Sequence, residues 1–266
     1  MNTHAQKTTR RRARVVVAAL AAAASAAACR PAVSPYTPRD PALRRLPLYF
    51  YPDADDGRAP RALVFFFGND VGFWEEHQEL ATRLAGADYA VVGFDVKRFL
   101  STLPDAPAAR DSAFAADIGP IIGRSRHELG ADSLPLVLGG HSIGAEIALW
   151  TAAHDAPPGT VGVLAMSPGR RSHLRVTMSD LLNQGEPHDA GSFDVATQIA
   201  GTAPSLRVAI VRGDGDKYGY ADSALVAAAP QRVRRFGVPF AGHSLKRLTV
   251  AGPVVSRAMD YLLGGG

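Results

Sequence analysis

The chain has 266 residues, 47% of them hydrophobic, with 29 basic and 25 acidic side chains. That length and apolar share suit one large core, and neither an internal repeat nor a heptad run is present. Five of the basic residues (Lys7, Arg10, Arg11, Arg12 and Arg14) fall in the first 28, which hold no acid. The remainder therefore carries 24 basic against 25 acidic groups, which removes the electrostatic basis for binding nucleic acid. The single cysteine excludes a disulfide framework and a cysteine-based metal site.

In chain order, the basic stretch "KTTRRRAR" and the uncharged run "VVVAALAAAASAAA", too short to span a bilayer comfortably, read as an export signal over residues 1–28. Cys29 follows Ala26-Ala27-Ala28, and the arrangement resembles a bacterial lipoprotein cleavage box in which Cys29 carries the lipid; ordinary signal cleavage is the alternative. The expectation is a domain at the periplasmic side of a bacterial envelope, held to the membrane by that anchor. Residues 29–45 are rich in proline and predict an extended tether, about 50 Å long at ~3.1 Å per residue. For its second half a strap laid along the domain is the alternative. The globular domain is then expected over residues 46–266.

Within it, short apolar runs alternate with amphipathic ones, the βαβα pattern of a mainly parallel sheet. The predicted strands are Leu46–Tyr51, Ala62–Phe67, Tyr89–Asp95, Leu134–Gly139, Thr160–Met166, Leu206–Val211 and Arg232–Val238. Several are unbroken Val, Leu, Ile and Phe, as expected for strands covered on both faces. Helices are predicted over Phe73–Ala85, Ala108–Leu129, Ile143–His154 and Pro253–Leu263, with Gly119-Pro120 breaking or kinking the second.

At the end of the fourth strand stands Gly140-His141-Ser142-Ile143-Gly144, a G-x-S-x-G pattern between an apolar strand and an alanine-rich helix. That context suits a nucleophile elbow, in which strand and helix pass so closely that the flanking positions must lack Cβ atoms. A plain serine N-cap is the alternative. The other parts of a serine hydrolase are present in the required order. "LRVAIVRGDGDKYG" ends a strand with Asp214 and Asp216, the latter at the better spacing for an orienting acid. "RRFGVPFAGHSLKRL" places His243 in a loop after the last strand. After the second strand, Gly68-Asn69-Asp70 offers a backbone oxyanion donor, assigned to Asn69 with Asp70 as alternative. The second donor is the amide of Ile143. Ser142 would attack an acyl carbonyl, His243 would take its proton and Asp216 would hold the imidazole; neither metal nor organic cofactor is required. His77, His127, His154, His173 and His188 show no ligand spacing and read as surface or loop residues.

The stretches "FFFGNDVGFW", "YAVVGFDVKRFL", "AADIGPII" with "GGHSIGAE", "VLAMSPGRRSHLRVTMSDLL" and "FAGHSL" resemble the VirJ/AcvB group of bacterial virulence-associated periplasmic proteins, over about residues 46–263. The resemblance implies the α/β-hydrolase fold, a mainly parallel central sheet with helices on both faces, and hydrolysis of aminoacyl-phosphatidylglycerol. His141 and Ile143 stand where that group usually carries Tyr and Phe, and its glycine-rich loop is here Asn-Asp-Val-Gly. In "GRRSHLR", Arg170, Arg171 and Arg175 follow a strand at its C-terminal end and are candidates to meet a lipid phosphate, a solvated basic loop being the alternative. A lipid or small ester is thus the expected substrate. A general carboxylesterase or lipase, and a non-catalytic envelope binding or assembly factor, are the competing functions.

Overall fold

The computed structural model describes residues 36–52, 58–182 and 184–265. The export segment, Cys29 and the start of the tether lie outside the described residues. Seven strands form one sheet: β1 (Leu48–Tyr51), β2 (Ala62–Phe67), β3 (Tyr89–Phe94), β4 (Leu136–His141), β5 (Thr160–Met166), β8 (Arg207–Gly213) and β9 (Val233–Val238). Their spatial order is β1-β3-β2-β4-β5-β8-β9; β1 is antiparallel to β3 and every other pair is parallel. A two-stranded ribbon, β6 (Arg171–Ser172) with β7 (Phe193–Asp194), belongs to the insertion between β5 and β8.

Period-two alternation divides the core into two layers. Leu63, Phe65 and Phe67 of β2 face one way, against helices α2 (Pro107–Glu128) and α3 (Ile143–Asp155), while Val64 and Phe66 face α1 (Glu75–Ala85) and α4 (Gly252–Leu262). Ile143 to Ala152 of α3 are buried, which explains why that helix lacks an amphipathic stripe. Short helices not expected from the sequence occupy 96–100, 178–181, 195–201, 222–227 and 245–250. Helix α2 runs on through Pro120, contrary to the expected break. Ala116, whose carbonyl loses its helical partner to the proline ring, is exposed, so water can satisfy that group. Among the described residues no helix is long and apolar enough to cross a membrane.

Residues 36–45 lie along the domain, as in the strap that was the alternative for the second half of the tether. The Tyr36 amide donates to the Phe50 carbonyl (3.0 Å), and Leu43 is buried in the core. Glu128, at the end of α2, accepts from the amides of Arg39 (2.6 Å) and Asp40 (3.0 Å) and from the Tyr36 hydroxyl (3.1 Å). One carboxylate thus secures the strap. Replacing it by alanine (Glu128→Ala) is expected to speed trypsin cleavage at Arg39 and Arg44 about tenfold while the melting temperature hardly moves, since only a local contact is lost. Timed digestion of the two proteins checks this.

Candidate active site

The elbow is built by close approach. A Cβ on Gly140 would sit 2.2 Å from the Gly144 carbonyl oxygen, and one on Gly144 would sit 2.1 Å from that of Gly68. Between them Ser142 is driven to φ 54°, ψ −128°, a region costly for a residue with a side chain. Its amide donates to Met166 of the neighbouring strand at 2.9 Å. Although Ser142 occupies the N-cap position of α3, its hydroxyl makes no capping bond. Instead the hydroxyl lies 3.1 Å from His243 Nε2.

His243 Nδ1 lies 3.2 Å from both oxygens of Asp216. Because an ionised carboxylate can only accept, Nδ1 carries the proton and Nε2 presents its lone pair to the serine. Asp216 is buried and also accepts from the Tyr218 amide (3.0 Å) and from Arg212 Nη1 (3.0 Å). Burial alone would raise its carboxyl. The hydrogen bonds from His243 and Tyr218 outweigh that, and the pKa ends well below the ordinary carboxylate range. Asp214, the alternative acid, is exposed and pairs with Arg235 at 3.1 Å. The geometry therefore brings together Ser142, His243 and Asp216 and leaves Asp214 out.

Nothing among the described residues accepts from the Ile143 amide, which belongs to the first turn of α3, where amides have no helical partner. Asn69 departs from its expected place: its amide donates to the Gly72 carbonyl (3.2 Å) within a tight turn, and its side chain faces His141. Asp70, the alternative donor, borders the cavity beside Ser142 and Ile143, and its own carboxylate accepts from its amide.

That cavity, about 210 Å³, opens at the C-terminal edge of the sheet and is bordered by Asp70, Ser142, Glu146, Arg171, Tyr218 and His243, with residues 172–173, 180–181 and 185–187 of the insertion closing one side. Of the three arginines only Arg171 reaches it, braced by the Pro187 carbonyl (3.1 Å) and Ser192 Oγ (2.8 Å). Arg175 is paired with Asp189, and Arg170 is exposed. Two histidines read as superficial are buried. His77 sits in the α1 layer, its pKa pushed down to about 4 by burial. His173 is held between Asp180 (3.0 Å) and Asp189 (3.3 Å), pinning the insertion.

Arg212 and Glu146 escaped the sequence reading. Arg212 is fully buried and joins Asp216, Asp222 (2.7 Å) and the Pro168 carbonyl (2.6 Å). Glu146 accepts from the Gly169 amide at 2.6 Å, and burial pushes its pKa up. Each is a charged residue inside an otherwise apolar run, "VAIVRG" and "IGAEIALW", and that interruption is the signal that was available.

No family model and no curated protein matches the chain in sequence. Solved structures match its fold. A proposed dienelactone hydrolase from Klebsiella pneumoniae superposes with a TM-score of 0.60 at 16% identity, covering 82% of this chain and 93% of its own. TT1662 from Thermus thermophilus gives 0.57 at 20%, covering 88% and 98%. Esterase 2 of Thermogutta terrifontis, in a form phosphonylated by sarin, gives 0.56 at 17%, covering 82% and 90%. The chain thus has the α/β-hydrolase fold.

Ionisation of Glu146 is disfavoured in the folded state, so folding loses stability as pH rises from the unfolded-state value (about 4.3) towards the raised folded one. Glu146→Gln removes that term and keeps an oxygen for the Gly169 amide. Its melting temperature relative to wild type is expected to be higher at pH 8 than at pH 5, as paired thermal scans would show.

Proposed function

We propose that this chain is a serine ester hydrolase and that its substrate is aminoacyl-phosphatidylglycerol. One observation carries the first part: the unbroken row from the Ser142 hydroxyl through His243 to Asp216, at 3.1 and 3.2 Å. The Ser142 oxygen attacks the ester carbonyl as His243 Nε2 takes its proton. Asp216 stabilises the imidazolium and keeps its orientation. Charge developing on the carbonyl oxygen falls to the amide of Ile143. The imidazolium then protonates the departing alcohol, and water activated by His243 releases the acid. Two of the structural neighbours are described as a dienelactone hydrolase and an esterase, which fits this chemistry.

Support for the substrate comes from the walls of the cavity and from the resemblance to the VirJ/AcvB group. An aminoacyl ester brings an ammonium next to the carbonyl, and the carboxyls of Asp70 and Glu186 border the same cavity as Ser142. Arg171 offers a guanidinium at its edge for the phosphate. The basic-then-apolar N-terminus ending at Cys29 supports placing the domain in the envelope, where such a lipid is found. A short-acyl carboxylesterase is the second reading, favoured by the small cavity and by the esterase neighbours.

A fluorophosphonate probe is expected to label the purified wild-type chain and to leave Ser142→Ala unlabelled. In lipid extracts containing aminoacyl-phosphatidylglycerol, wild type should release free amino acid at least ~1000-fold faster than Ser142→Ala. A labelled enzyme that leaves the aminoacyl lipid intact but cleaves p-nitrophenyl acetate would select the carboxylesterase. An unlabelled wild type would remove both.

A further inference from the structure

His141 immediately precedes the nucleophile, as the last residue of β4, and does not border the cavity. Its ring is nearly inaccessible, at 3% exposure. Nε2 lies 2.8 Å from the main-chain oxygen of His243. A carbonyl can only accept, so Nε2 carries the hydrogen and Nδ1 is left with its lone pair. On that side stands the Asn69 amide nitrogen at 3.5 Å, and the Asn69 side-chain oxygen accepts in turn from the Val71 amide at 3.1 Å.

One imidazole therefore spans three segments: the loop after β2, the elbow and the loop that carries His243. The last of these is held to the turn after β8 at Ala241, whose carbonyl accepts from the Gly215 amide at 2.9 Å, two residues short of His243. Residues 239–244 belong to neither a helix nor a strand, and Phe240 in that loop has φ 58°. Among the described residues, the bond from His141 is the one hydrogen bond found at the His243 main chain. The two rings also lie in contact, with centroids 5.1 Å apart.

We propose that His141 is a positioning residue, whose Nε2–H bond to the His243 carbonyl sets the height and tilt of the His243 ring over Ser142. The inference rests on the hydrolase reading above and adds to it a separate requirement, a hydrogen-bond donor beneath the histidine loop. Neutrality suits the task. Burial, with the neighbouring His243 and His77 rings, pushes the His141 pKa down to about 3, so the ring stays neutral and adds no charge opposing the imidazolium that forms during turnover.

The test measures the rate of fluorophosphonate labelling for wild type, Ser142→Ala, His141→Phe and His141→Gln, each with its melting temperature. It is paired with nitrogen-15 NMR of the histidine rings in the wild-type chain. Loss of the donor should slow labelling by ~10- to 100-fold in His141→Phe, the scale expected when a reacting group is displaced by a fraction of an ångström to 1 Å. Glutamine, which can present an N–H at a similar reach, should recover most of that rate. In wild type, the His141 ring should show the Nε2–H tautomer and no titration between pH 5 and 9, a readout that holds even where a variant folds poorly.

A wild-type chain that is not labelled, or a Ser142→Ala chain labelled as fast as wild type, overturns the hydrolase reading and this inference with it. Labelling abolished in Ser142→Ala but within twofold of wild type in His141→Phe overturns this inference alone. So does a glutamine variant no faster than the phenylalanine one, or a His141 ring that carries its proton on Nδ1.

Discussion

A single buried carboxylate organises the reactive edge of this molecule. Asp216 could not stay ionised beneath His243 without partners, because an isolated charge in such a site costs several kcal/mol. Three donors meet it: the guanidinium of Arg212, the amide of Tyr218 and the ring of His243. Arg212 is itself fully buried and is balanced by Asp222, which also takes Arg235 from β9. The charges thus form a chain from the core to the surface that links β8, the loop after it and β9. Removing one member would strand the others, so the ends of the two strands and the position of the imidazole are set together.

Ser142 is placed by a different device. Steric approach at Gly140 and Gly144 forces the backbone of Ser142 into a strained turn, and the sheet and α3 bear that strain through a largely apolar interface. Electrostatics fixes Asp216 and His243; van der Waals exclusion fixes Ser142. The two devices meet at the C-terminal edge because β4 and β8, separated only by β5, run parallel and deliver their following loops to the same side.

Around that meeting point the acids are not equivalent. Burial raises Asp70 and Glu146 and outweighs the hydrogen bonds that Glu146 takes, that from the Gly169 amide among them, whereas hydrogen bonds from His173 and Thr177 overcome burial at Asp180 and bring it down. Environments that separate like groups in this way allow one cavity to hold several carboxyls without their full mutual repulsion. The insertion that brings Asp180 and Glu186 to the cavity is itself pinned by the buried His173 and by the Arg175–Asp189 pair. Its two outlying arginines consequently serve structure or solvent, and Arg171 alone faces the site.

Local pattern was enough for the alternation of strands and helices and for the parallel sheet, and it singled out Ser142 and His243, which the fold brings to 3.1 Å, because each rests on near neighbours: apolar runs of fixed period, glycines two residues either side of a serine, a polar loop after a strand. Spacing already favoured Asp216 over Asp214; the tertiary structure adds the physical difference, since both lie in one turn and Asp216 is buried against Arg212 while Asp214 is exposed beside Arg235. The third dimension was needed outright for Arg212, for His141 beneath the histidine loop, and for the Asn69 amide, which the turn to Gly72 consumes. Periodicity records which residues turn inward. It does not record which distant group each one meets there, and the hydrogen bonds and charge pairs that define this site join residues as far as 102 positions apart.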